Sequence, residues 1–200
     1  MNSIMDNEQK NYGIFQDWKA NSANLTGRFI MVLFRIAQWT RSKPMLTVFF
    51  FWYLILYKIL VEWISSIQIS LKANIGAGLR LENGRGTVID KGVTFGINCT
   101  LRHLTTISSK KLIDNTFSSS PKIGDNVDIG VNAIIIGQIQ VGNNVVIGAG
   151  AVITKTVSDN SVMVGNPAKL LKKVYDFPSF EDHEKKIEEI DAPVTLLDKV

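Results

Sequence analysis

Cysteine is almost missing from this chain: Cys99 is the only one among 200 residues. A single thiol forms no intrachain disulfide and no cysteine-rich zinc site, so a reducing, cytoplasmic setting is expected and the fold must stand on its apolar core. Histidine is nearly as scarce, with only His103 and His183. No pair of histidines or carboxylates has metal-ligand spacing, so no metal is expected. Nor is there a dense Lys/Arg block with interleaved aromatics, which argues against nucleic acid. Met1 to Lys10 is polar and lacks a basic stretch followed by an apolar core, so no signal peptide is expected.

Hydrophobic residues make up 46% and charged residues 20%, a balance that excludes wholesale disorder. The net charge of +4 is uneven. Residues 1–110 hold 13 Lys/Arg against 6 Asp/Glu, and residues 111–200 hold 9 against 12. The basic half suits phosphates or anionic lipid.

Leu25 to Trp39 has a helical pattern, with Phe29, Leu33 and Ile36 expected on one face and Pro44 as its stop. Met45 to Tyr57 (MLTVFFFWYLILY) is almost wholly apolar. Lys58 and Glu62 interrupt it short of the roughly 20 residues that a membrane span needs. Three readings are open for residues 45–64: a helix buried against a partner or second subunit, a peripheral contact with a membrane, flanked by Arg41, Lys43 and Lys58, and, least favoured by its length, a true membrane span.

From Ile123 onward a period of six appears: IGDNVD, IGVNAI, IIGQIQ, VGNNVV, IGAGAV, ITKTVS. The first place is Ile123, Ile129, Ile135, Val141, Ile147, Ile153; the fifth is Val127, Ala133, Ile139, Val145, Ala151, Val157. Ile, Leu and Val are 57 of 200 residues, so six aliphatics in one frame arise by chance on the order of once in 2,000 trials. The rhythm recurs upstream as IDKGVT, FGINCT and LRHLTT, with Ile75 and Leu81 in earlier turns. Two residues are extra between Leu81 and Ile89, and Ser108 to Pro121 loops out. A period of six means short strand, corner, short strand, with the leading aliphatic inward and Gly or Asn turning the chain. A sandwich of short strands would be spaced less regularly, at 8–12 residues.

These hexads, with the closing Val164-Gly165-Asn166-Pro167-Ala168-Lys169, resemble the hexapeptide-repeat acyltransferases over about Ile75 to Lys173. The resemblance implies a mainly β fold, a left-handed parallel β-helix; the hand comes from the resemblance alone, because the usual crossover preference is right-handed. The expected organisation is a helical segment over 1–72, the β-helix over 73–166 and a tail over 167–200. The resemblance further implies a homotrimer, acetyl-CoA as co-substrate in a groove between copies, and direct acetyl transfer to a hydroxyl. The helices and IGAGLRLENGRGTVID look like the serine acetyltransferase branch; FGINCTLRHLTTI is closer to relatives that acetylate capsular or exopolysaccharide sugars.

Direct transfer needs a base near neutrality, and histidine suits it. His183 lies in the acidic Glu181-Asp182-His183-Glu184. His103 lies inside a repeat, beside the looped-out segment, and is the candidate base. Glu82-Asn83 stands where the serine-specific enzymes carry Asp-His, and Ser120 where they carry a histidine before Pro-Lys-Ile. Asn83 is no base but could orient an acceptor hydroxyl; Glu82 could orient His103. Ala149, Gly150 and Ala151 are small enough for a pantetheine arm to lie close. Lys155, Lys169, Lys172 and Lys173 are candidate partners of the CoA phosphates. Cys99 reads as a small core residue. The leading expectation is O-acetylation of a sugar hydroxyl in surface-polysaccharide synthesis. The alternatives are serine O-acetylation and a non-catalytic β-helix scaffold.

Overall fold

The computed structural model describes residues 13–174. Helix α1 (Leu25–Ser42), α2 (Pro44–Phe49) and α3 (Phe51–Tyr57) lead into a π-helical stretch, Lys58–Ile64. Fifteen short strands follow and form three sheets. The first face stacks β1 (Gln68–Ile69), β4 (Val88–Ile89), β7 (Thr106–Ser108), β10 (Ile134–Ile136) and β13 (Val152–Ile153). The second stacks β2 (Asn74–Ile75), β5 (Thr94–Phe95), β8 (Lys122–Ile123) and β11 (Gln140–Val141). The third stacks β3 (Arg80–Glu82), β6 (Thr100–Arg102), β9 (Asp128–Ile129), β12 (Val146–Ile147), β14 (Ser161–Val164) and β15 (Lys169–Lys173). All pair in parallel except β14–β15, so the chain winds a parallel β-helix of about five turns.

The six-residue period is the circumference of this coil taken one side at a time. Ile123 pairs with Val141, Ile129 with Ile147 and Ile135 with Ile153, each eighteen residues on. Every leading aliphatic from Ile123 to Ile153 is buried, as is every fifth-place residue from Val127 to Val157. Cys99 takes such a place, and burial pushes its thiol up to about 12. The irregular steps are absorbed at corners. Leu81 and Leu101 stack across twenty residues, while Ile107 and Ile135 stack across twenty-eight because the looped segment intervenes.

Corners need the left-handed backbone region, which Asn tolerates better than most residues. Asn98, Asn126, Asn144 and Asn160 all have φ near +54°. Three of them form a ladder: Asn126 Nδ2 donates to Asn144 Oδ1, and Asn144 Nδ2 to Asn160 Oδ1, both at 3.0 Å. A parallel ladder ties coil to coil, with Ile97 N donating to Asp125 Oδ1, Asp125 N to Asn143 Oδ1 and Asn143 N to Asp159 Oδ1, each at 2.8 Å. Glycine serves close approach instead: a Cβ on Gly124 would sit 2.7 Å from the Gly142 carbonyl oxygen.

A β-helix exposes unpaired strand edges at its first coil, and the helical segment covers them. Asn24 caps α1, accepting from Gly27 N at 3.0 Å, while its Nδ2 donates to the Leu81 carbonyl. Asn21 accepts from Leu81 N at 2.9 Å and donates to Leu79 O at 2.8 Å. Buried Asp17 and Arg35 pair at 2.8 Å. Asp17 also accepts from Leu79 N at 3.0 Å, and Arg35 donates to Ile75 O at 2.9 Å and Gly76 O at 2.8 Å.

The inward face of α1 departs from expectation. Ile30, Met31, Phe34 and Ala37 are buried, while Phe29 is 63% exposed and Leu33 and Ile36 are only half-buried. The helix is apolar nearly all round, so the 3.6-residue period alone did not select the side that carries Arg35 to the strand edge. Residues 45–64 are also apolar on both sides. Tyr57 and Val61 are buried, whereas Phe49, Trp52, Ile55 and Trp63 face outward. Among the described residues no helix is long and apolar enough to cross a membrane.

Candidate active site

One edge of the prism gathers most of the candidate residues. It is the corner between the third face and the first. Leu104, Asn132 and Gly150 occupy equivalent corner places on successive coils, with φ of 60°, 56° and 67°. Asn132 N donates to His103 O at 3.1 Å and Gly150 N to Val131 O at 2.8 Å, so His103, Val131 and Ala149 stack along the edge. Neighbouring strands lie about 4.8 Å apart, which puts Ala149 roughly 10 Å above His103. On the coil before His103 the same edge carries Asn83 and Arg85, because Glu82 is in register with Arg102 and Leu104 N donates to Arg85 O at 2.8 Å.

His103 follows β6 directly and is half-buried. Its ring makes no hydrogen bond to the described residues. Glu82 does not orient it. One Glu82 oxygen lies 3.1 Å from Arg80 and the other 2.8 Å from Arg102 Nε. Arg102 bonds Asp128 as well. Strand alternation explains this, since residues 80, 82, 100, 102 and 128 share the outer side of the third face, whereas His103 has already entered the turn. Partial burial works against the Arg102 charge, but Asp128 and then Glu82 outweigh it and hold the guanidinium above its ordinary value. The charges at Arg80, Glu82, Arg102 and Asp128 therefore form a network of their own. Its signal in the sequence was the Arg-Leu-Glu and Thr-Leu-Arg alternation twenty residues apart, hidden by the two-residue insertion.

Asn83 is exposed and turned, with φ of 53° and its carbonyl accepting from Arg85 N. With Arg85, Ser65 and the start of α1 it lines a cavity of about 100 Å³.

The looped segment does not adjoin His103 within one chain. It leaves after β7, from the far end of the first face, while His103 precedes that strand. Lys111 and Phe117 pair in an antiparallel bridge, and Ile113 is fully exposed at the tip. Ser120 Oγ donates to Lys91 O at 2.7 Å.

Ala149 and Gly150 are exposed, and a Cβ on Gly150 would meet nothing within 4 Å. Ala151 differs: its side chain is wholly buried in the fifth-place column and cannot line a groove. Lys155, Lys169 and Lys172 are exposed. Ala168 N donates to Val152 O at 2.9 Å, which brings the start of β15 beside β13 and Lys169 near the Ala149–Gly150 edge. Lys173 is engaged, donating to Ser158 Oγ, Ser161 Oγ and Asp159 O at 2.6–2.9 Å. His183 lies outside the described residues. No cluster of metal-ligating side chains occurs among the described residues.

Residues 120–155 match the family model for bacterial transferase hexapeptide repeats. WcaB of Escherichia coli K12, assigned as a colanic acid biosynthesis acetyltransferase, is 34% identical over 161 residues, which is 78% of this chain and 98% of that protein. The chain belongs to the hexapeptide-repeat acetyltransferases. It also matches serine acetyltransferase 1 of Arabidopsis thaliana, 41% identical over 106 residues, spanning 53% of this chain and 33% of that protein. Among solved structures, serine acetyltransferase of Brucella abortus superposes with a TM-score of 0.68 at 26% identity, covering 80% of this chain and 68% of that one. The Neisseria gonorrhoeae enzyme gives 0.68 at 27%, covering 84% and 68%. As a member of this family the chain is an acetyltransferase, and acetyl-CoA is the co-substrate that its relatives use.

Proposed function

We propose that this acetyltransferase moves an acetyl group from acetyl-CoA to a sugar hydroxyl in surface-polysaccharide synthesis, with His103 as general base. The observation that carries this reading is the shared edge: His103 and the open Ala149–Gly150 corner lie two coils apart on one line. A pantetheine arm lying along that line brings the thioester to His103. Lys169 then faces the phosphate end, while Lys155 follows β13 at the far end of the first face and Lys172 pairs with Val162 towards the start of the third. His103 takes the proton of the acceptor hydroxyl as its oxygen attacks the thioester carbon. The tetrahedral intermediate expels the CoA sulfur, which receives that proton, and the products are an O-acetyl sugar and CoA. Backbone N–H groups are the donors available to the oxyanion.

The site is completed in a homotrimer. His103 stands at one corner of its own chain and the looped segment at another, so a second copy packed against the edge supplies the missing wall. Asn83 orients the acceptor. In this reading the enzyme is cytoplasmic and residues 45–64 turn towards the inner face of a membrane. The similarity to WcaB supports a saccharide acceptor, as does the absence of imidazoles at Asn83 and Ser120. Serine as acceptor is the second reading, favoured by the similarity to serine acetyltransferases.

The test is CoA-thiol release by the purified full chain with a panel of sugars and with L-serine. His103→Ala is expected to lower turnover at least about 100-fold with the unfolding transition unmoved. Undiminished turnover removes His103 from the mechanism. Faster transfer to L-serine than to every sugar overturns the saccharide reading.

A further inference from the structure

We infer that the outward face of residues 45–64 is a docking surface for an anionic lipid bilayer. The segment is apolar all round, yet only one side of it is packed. Tyr57 and Val61 face the core, with Tyr53 anchored through its hydroxyl to Leu33 O at 2.8 Å. The opposite side presents Phe49 at 70% exposure, Trp63 at 76%, and Trp52, Ile55 and Ile59 between them. A surface helix normally turns polar residues outward, so this face is built for an apolar or interfacial environment.

Two further observations select lipid. The first is charge. Between Arg41 and Ile64 the chain has three Lys/Arg and one acidic residue, Glu62. Arg41, Lys43 and Lys58 are exposed around the apolar face, and Glu62 lies 4.0 Å from Lys58. A second copy docked on this face would bring cation to cation with little acid to answer them. Anionic headgroups answer them directly, at about fivefold in partition per Lys/Arg near the surface. The second is shape and composition. α2 and α3 have six and seven residues. The π-helical stretch continues α3 to Ile64, and even this longer element falls short of the roughly 20 residues that a span across the bilayer needs, so it lies in an interface. Tryptophan suits the headgroup boundary, and Trp52 and Trp63 are exposed on this segment, as is Trp39 at the end of α1, under the Lys43 ammonium at 5.5 Å. The docking face adjoins the first coil. An acceptor carried on lipid would therefore meet the site edge at the Asn83 end, a consequence that rests on the function proposed above.

The test is flotation of the full chain with vesicles. With vesicles holding about 30% phosphatidylglycerol the protein is expected to float, and with pure phosphatidylcholine to bind far less. Arg41→Ala/Lys43→Ala is expected to weaken partition to the anionic vesicles roughly 25-fold. Trp52→Ser/Ile55→Ser/Trp63→Ser, all at exposed positions, is expected to leave the protein in the dense fraction with its circular dichroism unchanged. Should that variant misfold, quenching of wild-type tryptophan fluorescence by brominated anionic lipid gives the same answer. No flotation, flotation of the triple variant equal to wild type, or no quenching overturns the proposal. So does a triple variant that converts the wild-type oligomer to a smaller one, since a second copy would then cover the face. Transfer to a soluble sugar without vesicles tests the catalytic reading separately.

Discussion

The Asp17–Arg35 pair offers the sharpest test of how the helical segment holds the β-helix, because two accounts of it make different forecasts. If the pair matters only as two opposite charges, replacing both with apolar residues of similar size should cost little, as it often does for buried ion pairs. The structure implies otherwise. Asp17 accepts from Leu79 N, and Arg35 donates to Ile75 O and Gly76 O, so the pair also satisfies three backbone groups at the edge of the first coil. Asp17→Ala strands a buried guanidinium and is expected to cost about 3–5 kcal/mol. Asp17→Leu/Arg35→Met removes both charges but leaves the three backbone groups without their partners, at roughly 1 kcal/mol or more each. The double variant is therefore expected to stay at least about 2 kcal/mol below wild type, a fall of roughly 4–8 °C in melting temperature for a chain of this size. Urea and thermal unfolding followed by circular dichroism measure both. A double variant as stable as wild type would refute the clamp and leave an ordinary ion pair.

Further expectations concern the coil itself. Ile135→Ala, in the fully buried column of the first face, should cost about 2–5 kcal/mol in urea unfolding. Gly130→Ala should destabilise by about 1–3 kcal/mol, because its Cβ would lie 2.6 Å from Ala149 N, while Gly150→Ala should keep the coil spacing and cost only the strain of φ 67°. Cys99 should resist alkylation at pH 8 in the folded protein and react promptly in urea. Its folded-state thiol is raised to about 12, so the stability it contributes is complete below the unfolded value near 9 and falls as pH rises from there towards 12. Stability measured across pH 9 to 12 should therefore decline, and Cys99→Ala should make that decline shallower.

Much of the fold was legible because the β-helix writes its geometry into a local period. Ile123 and Val141 are placed in one column by spacing alone, and the pairing bears this out. The candidate site was only partly legible. Spacing counts coils, so it set His103 and Ala149 inside repeats, but irregular insertions hid that they share an edge. Ala151 was misassigned to the groove although its own fifth place marked it as core, since small size and inward direction are different properties. Glu82 was paired with His103 because a base usually has an orienting partner, while strand alternation turned it to Arg80 and Arg102. The clamp of Asp17, Asn21, Asn24 and Arg35 was illegible: these are bonds to backbone groups some forty to sixty residues away, and no period announces them.

The location of bound CoA tests the central claim most directly. A crystal structure of the protein soaked with CoA is expected to show the pantetheine arm along the His103–Ala149 edge, between two copies, with the sulfur within about 3–3.5 Å of an acceptor position that His103 can reach. A CoA sulfur on another corner of the prism, away from His103, would contradict it.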